Sequence, residues 1–143
     1  MIIQAPVSQV WETLCDFSSY EKWSKFIKQV QGLPVVGTTL KVCIHPPKAS
    51  KQTFYPIVIQ ADLHRHFAWR GALWGMPWLF CGEHHFKLKH LGDATELVHS
   101  EKFSGCLVPL IWKFLETKTK AGFEHFNQAL KTQCESHDPA IRT

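Results

Sequence analysis

The sequence predicts an α+β fold: a curved antiparallel sheet of six to seven strands wrapped around a long C-terminal helix, with two short helices after the first strand. Three observations predict it. Apolar residues recur at helical spacing up to Ile27, alternate with period two from Val30 to Gly105, and return to helical spacing after Pro109. Turn residues punctuate the alternating stretch at short intervals, which suits antiparallel neighbours rather than crossovers. A chain of 143 residues with 45% hydrophobic and 13% aromatic content can bury one core and is not disordered.

Residues 1–3 read as the tail of a strand. Pro6 suits a first helical turn, and Val7, Val10, Trp11, Leu14 and Phe17 share one face of the helix that follows. Ser18 with Glu21 matches a capping box opening a second short helix that carries Trp23, Phe26 and Ile27. Strands are expected over 29–31, 39–45, 53–61, 66–73, 79–90 and 94–105. They are separated by turns at Gly32-Leu33-Pro34, Gly37, His45-Pro46-Pro47 and Gly92-Asp93. Inward positions are Leu40, Val42 and Ile44, then Phe54, Pro56 and Val58, then Phe67, Trp69 and Gly71. A helix over 110–134 measures about 37 Å at 1.5 Å per residue, with Ile111, Leu115, Gly122, Phe126, Ala129 and Leu130 on one face. The domain is expected to span 1–135, with 136–143 a frayed tail.

The net charge of +4 comes from Lys and Arg scattered without a run of like charge, which argues against a nucleic-acid partner. Five cysteines, an odd number with no CxxC pair, suit free thiols in a reducing, cytoplasmic setting. Cys43, Cys81 and Cys106 fall in strand contexts as small core residues. No apolar window of about 18 residues and no secretory pattern is present, so neither a membrane span nor export is expected.

The chemistry concentrates in the last two strands. Phe80, Gly82, His84, Phe86 and Leu88 share one face; Thr95, Leu97, His99, Glu101 and Phe103 share the facing set. Burying ionisable groups unpaired costs a few kcal/mol each, on the order seen for buried polar groups, so His84, His99 and Glu101 either pair or line a cavity. Adjacent strands make a His84–Glu101 hydrogen bond geometrically natural. Such a pair fixes strand register, anchors the polar end of a ligand, or acts as general acid and base; no nucleophile or oxyanion device accompanies it, which favours the first two roles. His99 alone reads as a satisfied core or rim residue. Nine histidines invite a metal, and His64 and His66 share a strand face, yet no ligand spacing is ordinary, so no metal and no cofactor are expected. Trp74 and Trp78, in a loop that also holds Met76, either rim the pocket or tuck under the long helix. Arg70 and Glu83 face outward, as do His85, Lys87 and Lys89.

The opening Ile3-x-Ala5-Pro6-Val7-x-x-Val10-Trp11-x-x-Leu14-x-Asp16-Phe17-x-x-Tyr20-x-x-Trp23 resembles that of the polyketide cyclase/dehydrase-like branch of the START-like (SRPBCC) helix-grip superfamily. The strings Trp69-Arg70-Gly71, Leu79-Phe80-x-Gly82-Glu83-His84-x-Phe86 and Ser100-Glu101-x-Phe103-Ser104-Gly105 are similar to a subgroup of small bacterial members. The resemblance covers nearly the whole chain. It implies a pocket between sheet and C-terminal helix, and leaves the chemistry open because the scaffold hosts carriers, cyclases, receptors and co-chaperones. The sequence reading is therefore a protein that binds or carries a small to medium hydrophobic molecule. Its pocket is expected to be walled by Trp69, Phe86, Leu97, Phe103 and Phe126, rimmed by Trp74 and Trp78, with His84, His99 and Glu101 as polar groups. A cyclase or dehydratase using His84 and Glu101 is the alternative. A co-chaperone-like interaction module ranks behind it, because the outer sheet face is polar.

Overall fold

The computed structural model describes residues 1–45 and 50–136; the His45-Pro46-Pro47 turn beyond its first residue, the tail from His137 and the side chains of Phe114, Leu115, Lys118 and Thr119 lie outside what is described. In chain order the elements are β1 (Ile2–Ile3), α1 (Val7–Cys15), a 3₁₀ turn (Phe17–Ser19), α2 (Tyr20–Trp23), β2 (Ile27–Gln31), β3 (Lys41–Ile44) and β4 (Gln52–Phe54). They continue with β5 (Ile57–Asp62), β6 (His66–Ala72), β7 (Cys81–Leu91), β8 (Ala94–Ser104) and α3 (Val108–Ser136). This is the predicted α+β helix-grip arrangement.

The strands form a five-stranded sheet in the order β1-β8-β7-β6-β5 and a three-stranded sheet in the order β2-β3-β4, rather than one uninterrupted sheet of six or seven. The expected strand over 53–61 is broken at Tyr55-Pro56, and Pro56, without an N–H, cannot donate to the ladder. The break is local. Val42 pairs with Phe54, and Thr39 bridges Ile57 in the same register. Leu40 N donates to Pro56 O at 2.7 Å and Val58 N to Thr38 O at 2.9 Å. The two sheets therefore continue edge to edge through one bent strand.

Short β1 is pinned at the far edge, with Ile2 opposite Glu96 and Ile3 opposite Thr95. The buried Thr95 hydroxyl donates to Ala5 O at 2.8 Å, which satisfies the carbonyl just before α1.

Helix α1 buries Val10 and Leu14, as its spacing predicts. The second helix differs from its prediction. It is a single turn that begins after Ser19, with no side-chain cap, and the Ser18 hydroxyl donates instead to Asp16 Oδ1 at 2.5 Å. Ser24 turns extended and its hydroxyl accepts from Ile27 N at 3.1 Å, so Phe26 and Ile27 leave the helix and Ile27 opens β2. Phe54, expected inward, is 47% exposed: among the described residues β4 pairs only with β3, at the edge of its sheet.

Helix α3 has 29 residues, about 44 Å of helix. Its stripe of Gly122, Phe126, Leu130 and Cys134 is buried. A methyl group on Gly122 would sit 2.4 Å from the Phe26 ring, so glycine sets the distance of closest approach there. Phe126 meets Trp23 at 5.4 Å, Phe86 at 5.7 Å and Tyr20 at 5.8 Å between ring centroids. The far end of the helix is tied down by Gln9 Nε2 donating to Cys134 O and Lys131 Nζ to Ile2 O, both at 2.6 Å.

Candidate functional site

The β7–β8 ladder is unbroken from Cys81–Ser104 to Leu91–Ala94, which places His84 directly opposite Glu101. Their side chains meet at 2.7 Å, His84 Nε2 to Glu101 Oε1, the contact that period-two alternation predicts. Room for the carboxyl comes from Gly82: a methyl there would lie 3.2 Å from Glu101 Oε1 and 3.5 Å from the Phe103 ring. The Glu101 side chain is 9% exposed and that of His84 25%.

One diagonal step along, His99 is held between two aromatic rings, Phe86 at 4.2 Å and Phe123 of α3 at 3.7 Å, both stacked. Its Nδ1 bonds to Asn127 Oδ1 at 2.8 Å. Burial, reinforced by neighbouring His84, pushes its pKa down to about 3 against the Asn127 bond that favours protonation. His99 is therefore neutral at physiological pH. With its one proton on Nδ1 and donated to the Asn127 oxygen, Nε2 presents a bare lone pair. Among the described residues that atom is buried without a hydrogen-bond partner, and so is His84 Nδ1, the ring nitrogen left over once Nε2 bonds Glu101. Each such orphan costs about 1–3 kcal/mol.

Outside this cluster, β8 and α3 diverge to leave an open groove of about 400 Å³ lined by His99, Glu101, Phe103, Trp112, Phe123 and Asn127. Glu116 and Lys120 of α3 stand on its outer lip.

Of the residues singled out from the sequence, His99, Glu101 and Phe103 border this groove, and His84 sits behind Glu101. Trp69 at 3%, Phe86 at 0%, Leu97 at 1% and Phe126 at 0% exposure are in the packed core, where rings fill the space between sheet and helix. Trp74 and Trp78 do not tuck under α3; they are 80% and 67% exposed. They lie at the end of the molecule where Cys106 N donates to Trp78 O at 3.0 Å, just ahead of α3. Trp112, Phe123 and Asn127 escaped the sequence reading. They belong to a stripe of α3 at spacings of three and four, mixing aromatic and polar side chains, next to the core-facing stripe. Among the described residues no group of three or more His, Cys, Asp or Glu could hold a metal ion. Among the described residues no helix is long and apolar enough to cross a membrane.

Because the His84–Glu101 contact is short and half-buried, removing one partner strands the other. Glu101→Gln and His84→Gln are each expected to lower stability by about 1–2 kcal/mol, and the double variant to lose less than the two together. Urea melts of the three variants check this; additive losses near zero would show that the two groups do not support each other.

The chain was compared with known proteins. Among curated proteins, none matches it. Among solved structures, an aromatase/cyclase from Streptomyces sp. R1128 is similar with a TM-score of 0.78 at 18% identity, over 99% of this chain and 94% of that one. A START superfamily protein from Mycobacterium smegmatis is similar with a TM-score of 0.68 at 17% identity, over 95% and 94%. Norcoclaurine synthase from Thalictrum flavum, in complex with dopamine and hydroxybenzaldehyde, is similar with a TM-score of 0.68 at 12% identity, over 96% and 84%. At these identities the likeness is one of fold. The family model described as polyketide cyclase/dehydrase and lipid transport matches residues 1–135, and the chain belongs to that family.

Proposed function

We propose that the protein binds a small to medium hydrophobic molecule bearing a hydroxyl group, seated in the groove between β8 and α3. The observation that carries this reading is the orphaned Nε2 of His99, a buried acceptor at a residue that lines an aromatic groove. A groove of Phe103, Trp112 and Phe123 accepts an apolar ring by burial of apolar area. A hydroxyl on that ring would donate to His99 Nε2 and relieve the cost of leaving it unmade. Phe123 is stacked on the face of His99, whereas the Nε2 lone pair lies in the ring plane, so the hydroxyl would approach edge-on while Phe123 holds the imidazole in place. The family description includes lipid transport, and the norcoclaurine synthase structure holds aromatic compounds; both fit such a ligand.

A second reading, acid–base catalysis of a cyclase or dehydratase type, is favoured by one observation: Nδ1 of His84 is left without a hydrogen-bond partner while Glu101 orients its ring. The reaction would then need its substrate in this same groove.

Paired titrations of 1-naphthol and naphthalene, followed by tryptophan fluorescence, test the binding reading. 1-Naphthol is expected to bind at about 10 μM, roughly −7 kcal/mol, and at least about tenfold tighter than naphthalene, the equivalent of one hydrogen bond to a buried acceptor. In His99→Phe the two affinities should converge. Equal affinities in the unaltered protein would remove His99 from the site.

A further inference from the structure

We infer a second binding site, for the diphosphate group of a small molecule, at the opposite end of β7 from the groove. There the β5–β6 turn and the ends of β7 and α1 enclose an open cavity of about 600 Å³. Its polar lining is entirely basic: Arg65, Lys87 and Lys89 with His64, His66 and His90. Val7, Leu63 and Leu88 supply the remaining, apolar wall.

None of Arg65, Lys87 or Lys89 forms an ion pair among the described residues. The carboxylates nearest by strand register are Asp62, opposite His66 and bonded by Gln60, and Glu96, opposite Lys89. Neither lines the cavity. Three permanent cations among the residues that line one space repel each other, and an anion placed among them lowers that repulsion. Three cations match the charge of a diphosphate better than that of a monophosphate or a carboxylate. The apolar wall leaves a place for the organic part of the same molecule.

The backbone adds an independent observation. His64 holds a left-handed conformation, φ 60°, in the β5–β6 turn. Gly or Asn adopts it with less strain. Its imidazole packs edge-on against Trp11 of α1, with centroids 6.2 Å apart, which fixes the ring on the cavity wall. His66 is fixed too, its Nε2 3.0 Å from His85 Nδ1, while His85 Nε2 lies 3.4 Å from Glu83. The His64 ring is thus positioned by packing and the His66 ring by its hydrogen bond to His85.

Titration of the unaltered protein with pyrophosphate, followed by backbone amide NMR in low salt, tests the site. Saturable shifts confined to residues 63–66 and 87–90 are expected, with affinity falling at least about tenfold on raising salt to 0.3 M. Inorganic phosphate should bind about tenfold more weakly than pyrophosphate. The exposed pair Arg65→Gln with Lys87→Gln should weaken pyrophosphate about tenfold or more, and Lys22→Gln, on α2, should leave it unchanged. His64→Gly, which relieves the backbone, should fold at least as well and bind more weakly. Three outcomes would overturn the site: no saturable shifts at millimolar pyrophosphate, equal loss in Lys22→Gln, or binding to vesicles of phosphatidylglycerol without binding to pyrophosphate. The last would assign the basic end to a membrane surface. None of these outcomes bears on the groove.

Discussion

Phe126→Ala is expected to lower the free energy of unfolding by about 3–5 kcal/mol, the largest effect of any single substitution considered. The ring is fully buried, and it is where α3 meets three other elements at once: Tyr20 and Trp23 of α2, Phe86 of β7 and His99 of β8. Truncation would leave a void that cannot collapse, because α3 is held close by Gly122 against Phe26 and tied at its end through Gln9 and Lys131. A loss below about 1.5 kcal/mol in urea unfolding would mean that the helix relaxes onto the sheet and that its position is not fixed by this contact. Enlarging the residue is informative in the other direction. Phe126→Trp would strain a packed core, and overpacking costs about 1–3 kcal/mol.

Acid should weaken the fold through His99. Its imidazole titrates near pH 3 in the native state against an ordinary value of 6.5, so between those limits the unfolded chain binds a proton that the folded chain does not. Stability from this group is therefore complete above pH 6.5 and falls as pH drops toward 3, by up to about 1.4 kcal/mol per pH unit. His66, also lowered by burial and by neighbouring His85 and Lys87, acts in the same direction. Between pH 7 and 4.5 the unaltered protein should lose about 2 kcal/mol more than His99→Phe, a variant that keeps the stacked rings and has nothing to protonate there. Parallel pH dependences in the two proteins would mean that burial does not hold His99 neutral below its ordinary pKa.

What the sequence made legible follows from how local each signal is. Period-two alternation placed His84 and Glu101 on one face of neighbouring strands, and the ladder, unbroken over eleven residue pairs, delivers that contact. The long α3 was equally plain, because its buried stripe repeats over several turns. Phe54 followed the same alternation, but whether a face is covered depends on the neighbouring strand, and among the described residues β4 has a neighbour on one side only. The second helix is present, but its capping and length were misread for a related reason: the Ser18 hydroxyl had a competing acceptor in Asp16, and Ser24 ended the turn early. Around the groove the difficulty was geometric. Trp112, Phe123 and Asn127 lie beside the stripe that enters the core, and which flank of a helix a sheet leaves open is set by the crossing of the two elements. The aromatic rings expected to wall a pocket, Trp69, Phe86 and Phe126, instead pack on one another, so the open space moves outward to the β8–α3 flank.

The most direct test of the central claim is a crystal structure of the protein with 1-naphthol bound. The account predicts the naphthyl ring against Phe103, Trp112 and Phe123, with its hydroxyl oxygen within hydrogen-bond distance of His99 Nε2. A ligand lodged elsewhere, or one in the groove with its hydroxyl turned to solvent, would contradict it.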